Sequence, residues 1–107
     1  MPKILVVEDD DVLCDMLGQT LEAHGYEVSR RMDARGLVES VDALAPDLVI
    51  LDVMLPGIDG LTACRELRNA GASMPMLMLS ARSGDMDKIV GLESGADDYV
   101  TKPFSPR

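Results

Sequence analysis

Residues 46–60 read PDLVILDVMLPGIDG. Leu48, Val49, Ile50 and Leu51 form an unbroken apolar run closed by an acid at each end, Asp47 and Asp52. A run this short, apolar at every position, is a strand buried on both faces, which is the habit of strands in a helix-covered parallel sheet. Pro46 ends whatever helix precedes it, and Met54-Leu55-Pro56-Gly57 is a loop. Asp52 stands between four apolar residues and Val53-Met54-Leu55, a costly place for an unpaired charge.

Working outward, residues 3–8 (KILVVE) form a second buried apolar strand, followed by the acidic cluster Glu8-Asp9-Asp10-Asp11. Leu13, Leu17 and Leu21 then recur every four residues and predict a helix that stops near His24-Gly25. Residues 27–31 are a more polar strand suited to a sheet edge. Asp33 is placed to cap a second helix with Leu37, Val41 and Leu44 on one face, and Asp59 to cap a third with Leu61, Cys64 and Leu67. Residues 74–80 (SMPMLMLS without its first serine, MPMLMLS) give a further buried strand. Residues 85–94 predict a fourth helix with Met86, Ile89 and Val90 inward and Gly95 as its stop. Residues 99–101 form a last short strand before Lys102-Pro103. Strands alternating with helices imply an α/β fold with a parallel sheet, right-handed crossovers and helices on both faces.

The 107 residues suffice for one compact domain, and with 47% apolar residues a core can form. The net charge of −9 disfavours direct nucleic-acid contact and favours a cation or basic partner. No run is long enough to span a membrane, and Cys14 and Cys64 have neither metal nor redox spacing. The expectation is a reducing, cytoplasmic setting. The single histidine, His24, precedes a helix-ending glycine, so a histidine pair for acid–base work is impossible. Arg65 and Arg82 are expected to face solvent.

In open α/β sheets ligands bind beyond the carboxyl ends of the strands. Those ends carry Glu8-Asp9, Asp52, Ser80 and, just past the last strand, Lys102. Where the first and third strands are neighbours, Glu8, Asp9 and Asp52 converge, and three carboxylates so placed need a counter-charge. Mg²⁺ takes oxygen ligands and keeps several waters. Asp9 and Asp52 are assigned as direct ligands, Glu8 as a ligand through water, and the backbone carbonyl of Met54 as a further donor. A carboxylate can attack phosphorus to form an acyl phosphate, and Lys102 and the Ser80 hydroxyl can neutralise the transferring group. Taken singly, Lys102 reads as an ordinary surface lysine and Ser80 as a strand-end turn residue; their joint placement at strand ends is what favours the phosphoryl role.

The segments ILVVEDD (4–10), PDLVILDVMLPGIDG (46–60), MLMLSAR (76–82) and GLESGADDYVTKPFSP (91–106) resemble, in order, the receiver domain of bacterial two-component response regulators, in particular receivers of OmpR/PhoB-type winged-helix transcription regulators. The resemblance implies a flavodoxin-like (CheY-like) three-layer sandwich with five parallel strands in the order 2-1-3-4-5. It makes residues 1–107 a receiver domain that stops before the family's fifth helix, linker and DNA-binding domain. Asp52 resembles the phospho-acceptor, Glu8 and Asp9 the acidic pair that binds Mg²⁺ (Mn²⁺ or Ca²⁺ as substitutes), Ser80 the switch hydroxyl and Lys102 the phosphate-binding lysine. Lys102 is joined in the family to Pro103 by a cis bond. Tyr99 resembles the aromatic switch, with a half-buried strand aromatic as the plainer reading. Lys88, Glu93, Asp97 and Asp98 resemble the fourth-helix and fifth-strand face used for dimerisation; their plainer reading is solvated surface.

The expected function is that of a signalling switch phosphorylated on Asp52 by a sensor histidine kinase, controlling transcription by a longer parent protein. It catalyses its own phosphorylation and dephosphorylation and turns over no separate substrate. Without a fifth helix the expectation is an exposed apolar face and a tendency to non-native association. Three other functions are weighed against this one. An aspartate-nucleophile phosphatase would carry a second acid two residues after Asp52, where Met54 stands. A flavodoxin-type flavin site would need a hydroxyl- and glycine-rich loop after the first strand, where this chain is acidic. A receiver-like module that is never phosphorylated would have no need of the set Glu8, Asp9, Asp52, Ser80 and Lys102.

Overall fold

A computed structural model describes residues 1–81 and 84–102. Five strands alternate with four helices: β1 (Lys3–Val7), α1 (Asp11–Ala23), β2 (Glu27–Arg31), α2 (Leu37–Leu44), β3 (Leu48–Asp52), α3 (Gly60–Asn69), β4 (Met76–Ser80), α4 (Asp85–Glu93) and β5 (Asp98–Thr101). The strands are all parallel and lie in the order β2-β1-β3-β4-β5, as expected. Asp52 pairs with Leu79 in register, and Val7 with Leu51, so the ends of β1, β3 and β4 share one rim.

Strand alternation sorts the core into two layers. Leu5, Val7, Val49, Leu51, Met76 and Met78 pack with Leu37 and Val41 of α2 and with Ala63, Cys64 and Leu67 of α3. Ile4, Val6, Ile50 and Leu79 pack with Cys14 of α1 on the other face. Both thiols are buried, and burial pushes their ionisation up. Beside α1 an apolar groove of about 160 Å³ runs between Leu17, Ile50, Leu77, Leu79 and Val100. Among the described residues, no helix is long and apolar enough to cross a membrane.

Local chemistry explains the helix starts. Asp10 caps α1, its Oδ1 accepting from the amides of Val12 and Leu13 at 3.0 and 3.2 Å. Asp59 caps α3 as expected, accepting from Thr62 N–H at 2.8 Å. Asp33 does not cap α2. Its Oδ1 accepts from Arg35 N–H in a local turn at 3.0 Å, and the helix begins later behind Gly36. Such side-chain turns compete with helix initiation. The fourth strand begins at Met76 rather than at residue 74. The inward placing of Met86 and Ile89 is also corrected: they are 70% and 46% exposed, and α4 turns Val90 and Gly91 toward β5 instead.

Among the described residues, one non-glycine residue is strained. Ala45, the C-cap of α2, has φ 48°, the left-handed region that glycine adopts freely. Left-handed geometry costs a non-glycine residue roughly 1–2 kcal/mol. Glycine returns about 0.4–1 kcal/mol of that by loosening the unfolded chain. Ala45→Gly is therefore expected to raise stability by about 0.5–1 kcal/mol, read as a higher urea midpoint at unchanged slope.

Candidate functional site

The rim formed by the ends of β1, β3 and β4 carries the acids. Glu8 follows β1 and Asp52 ends β3, and each continues the strand phase that faces α1. Glu8 and Asp52 are 1% and 2% exposed, whereas Asp9 is exposed. Carboxylate oxygens of Glu8, Asp9 and Asp52 lie within 4.8 Å of one another. The sequence-predicted convergence is therefore present, with all three acids on one side of the sheet rim.

Their local partners are fixed. Asp52 Oδ1 accepts from Met54 N–H at 3.1 Å, so the loop after β3 holds the carboxylate at its own strand end. Asp52 Oδ2 faces Lys102 Nζ at 3.2 Å. Glu8 Oε2 accepts from Asp10 N–H at 3.1 Å, and Glu8 Oε1 meets Lys102 Nζ at 2.5 Å. Lys102 is aimed by its backbone, whose N–H donates to Ser80 O at 2.6 Å just beyond β5. Burial alone would lower the Lys102 ammonium, but the hydrogen bonds to Glu8 and Asp52 outweigh it and raise its ionisation above the usual lysine range. Lys102 is thus a permanent cation at neutral pH.

Gly60 lets the site close. A Cβ there would sit 2.0 Å from the carbonyl oxygen of Asp52, so only glycine allows the start of α3 to lie against the end of β3. Ser80 is fully buried at the end of β4, and its register partner Thr101 immediately precedes Lys102. Tyr99 is 9% exposed, with its ring turned in among the core residues. Lys88 on α4 is half-buried; Glu93, Asp97 and Asp98 are exposed. Asp97 Oδ2 is already engaged within the chain, by Arg68 and by Met76 N–H at 2.9 and 2.8 Å. Arg82 and Pro103, and with Pro103 the expected cis bond, lie outside the described residues.

The donor set is all hard oxygen. With its acids ionised, three carboxylates against one ammonium leave two negative charges uncompensated among the described residues. Such a cluster suits a divalent cation.

The fold and this rim define a class of signalling domain, and comparison with known proteins agrees. Residues 4–107 match the family described as the response regulator receiver domain, and the chain belongs to that family. It is 47% identical over 105 residues to the alkaline phosphatase synthesis transcriptional regulatory protein PhoP of Bacillus subtilis (strain 168), covering 98% of this chain and 44% of that protein. The chain therefore spans less than half the length of this curated relative. Among solved structures, the receiver domain of the Francisella response regulator 1452 superposes with a TM-score of 0.93 at 33% identity, over 98% of this chain and 87% of the other. The BeF3-activated N-terminal receiver domain of Klebsiella pneumoniae RstA gives 0.91 at 38% identity, over 97% and 88%. The chain is thus a receiver domain of a two-component response regulator with the PhoP-like pattern.

Proposed function

We propose that this domain is a Mg²⁺-dependent phosphoryl switch in which a sensor histidine kinase phosphorylates Asp52. The observation that carries this is the buried Asp52 carboxylate, which shares Lys102 with Glu8 and lies within 4.8 Å of Asp9. In the transfer, a carboxylate oxygen of Asp52 forms a bond to phosphorus. The bond from phosphorus to the donor's imidazole nitrogen breaks, and its electron pair leaves with the imidazole. The transferring group carries negative charge on its equatorial oxygens, so positioning and neutralisation dominate. Lys102 moves from carboxylate to phosphoryl oxygen, and the Ser80 hydroxyl donates a hydrogen bond. Asp9 and Asp52, with Glu8 through water and the Met54 carbonyl, would hold the metal. When bound, Mg²⁺ supplies the positive charge that makes a phosphoryl anion tolerable beside these acids.

Ser80 and Tyr99 carry the signal outward. A hydroxyl drawn toward phosphate favours the inward position of the Tyr99 ring over an outward one, which biases the α4–β5 face between two arrangements. That face, with Lys88, Glu93, Asp97 and Asp98, is the proposed dimerisation surface. Residues 1–107 serve as the receiver of a longer regulator whose output is transcription. The support is the PhoP relative, named a transcriptional regulatory protein, of which this chain covers 44%. The solved RstA receiver, described as BeF3-activated, supports a receiver that can be activated. Incubation with acetyl phosphate and Mg²⁺ is expected to add one phosphoryl group by intact mass, and excess EDTA to prevent it. An adduct that forms equally well in EDTA would remove the metal from the mechanism, and a folded sample that takes none would remove the phosphoryl switch.

A further inference from the structure

Tyr99 is fixed from below by its place in β5, in register with Met78 of β4. On the α4 side the ring lies against Gly91. A Cβ on Gly91 would lie 2.6 Å from Tyr99 Cδ2 and 2.9 Å from Cε2, whereas carbon atoms in contact stand about 3.5–4.0 Å apart. The atoms met belong to a rigid ring, not to the free end of a flexible chain, so the ring must shift as a whole to relieve the overlap.

The last turn of α4 is closed by Ser94, which is 4% exposed and whose Oγ and N–H both donate to Val90 O, at 2.8 and 3.0 Å. Beside the ring lies a cavity of about 130 Å³ lined by Val53, Leu61, Asp87, Val90 and Tyr99. Val53 directly follows Asp52, so one wall of this space adjoins the end of β3. The ring has room to move sideways, while its inward seat exists only because residue 91 has no side chain.

We infer that Gly91 is the positioning residue for Tyr99: its missing Cβ forms the roof of the inward ring site, and any side chain there expels the ring. This builds on Tyr99 acting as the signal-carrying aromatic, and names the α4 residue that sets which ring position is open.

The test uses the tyrosine count. The chain has two tyrosines and no tryptophan, so a Tyr26→Phe protein reports Tyr99 alone by tyrosine fluorescence. In that background Gly91→Ala is expected to raise acrylamide quenching of Tyr99 toward the value of the urea-unfolded chain. A melting cycle gives the second readout. Alanine normally strengthens a helix interior relative to glycine. Gly91→Ala is therefore expected to raise the melting temperature when Tyr99→Ala has removed the ring, and to lower it when the ring is present. If the single variant does not fold, recovery of folding on adding Tyr99→Ala supports the roof. A double variant that also fails overturns it. Unchanged quenching, or equal melting shifts in the two backgrounds, overturns it too. None of these measurements requires phosphate, so a failed acetyl phosphate reaction bears on the acceptor assignment and leaves the Gly91 result to stand by itself. Where the adduct forms, Gly91→Ala is expected to acquire it at the parent rate and to lose the phosphorylation-dependent change in Tyr99 quenching. Retention of that change overturns the inference.

Discussion

Asp52→Asn is expected to gain no phosphoryl mass from acetyl phosphate and Mg²⁺ under conditions where the parent gains one. The replacement is nearly isosteric, and Asn Oδ1 can still accept from Met54 N–H, as Asp52 Oδ1 does at 3.1 Å. The fold is therefore expected to persist, and a far-ultraviolet spectrum with a cooperative melt checks that. What disappears is the nucleophile. An amide oxygen is neutral and weakly nucleophilic, and the new Nδ2 donor would turn toward Lys102, which now holds Oδ2 at 3.2 Å. The loss should exceed the roughly 10²–10³-fold effect of deleting a single stabilising hydrogen-bond donor, because the attacking atom itself is gone. The other two acids are poor substitutes. Glu8 has both oxygens committed, one to Asp10 N–H and one to Lys102 Nζ. Asp9 is exposed, and neither of the Lys102 ion pairs reaches it. Peptide mapping that placed an adduct on Asp9 or Glu8 in the variant would overturn the assignment of Asp52.

Much of this rim was legible in residues alone. A short apolar run ending in an acid has few ways to fold, and β1 and β3 are such runs, so Glu8 and Asp52 were placed at strand ends before any neighbour was known. The strand order that brings them together came from resemblance, since periodicity does not say which strands are adjacent. Lys102 was assigned to phosphate; that it also binds Glu8 depends on a loop reaching back across 94 residues, which local pattern does not encode. The misplacements share a cause. Asp33 satisfied the composition of a cap but found a nearer amide at Arg35. Met86 and Ile89 satisfied helical spacing, yet this short helix at the sheet's end packs on β5 through its other side, where Gly91 meets Tyr99. The onset of β4 slipped because Pro75 has no N–H for the ladder and the Met74 carbonyl is turned to a side chain.

That side chain is Arg68, which sequence reasoning passed over, and its removal is expected to be strongly destabilising. Arg68 lies in the last turn of α3, and its guanidinium makes four hydrogen bonds. Nε donates to Gly95 O at 2.9 Å, the Nη1 group to Ala72 O and Met74 O at 3.0 and 2.8 Å, and Nη2 to Asp97 Oδ2 at 2.9 Å. One planar group thus joins the turn after α3, the entry to β4 and the turn before β5. Asp97 also accepts from the first amide of β4, so the network anchors both strands. The Asp97 end is mostly solvated, with a side chain 60% exposed, and contributes little as an ion pair. The three carbonyls matter more, since a charged donor to each is worth about 1.5–3 kcal/mol. All three residues are half-buried, so water can recover part of that. Arg68→Ala should therefore cost about 2–3 kcal/mol in total, a large share of the roughly 5–15 kcal/mol that holds a domain folded. At about 4–8 °C per kcal/mol the melting temperature should fall by roughly 10–20 °C. Arg68→Lys keeps the charge but not the fork, and is expected to recover less than half of the loss. The exposed neighbour Arg65 supplies the control, because Arg65→Ala should change stability by no more than about 0.5 kcal/mol. If Arg68→Ala melted within a few degrees of the parent, the carbonyl network would be decorative, and the β4–β5 end of the sheet would owe its order to strand pairing alone.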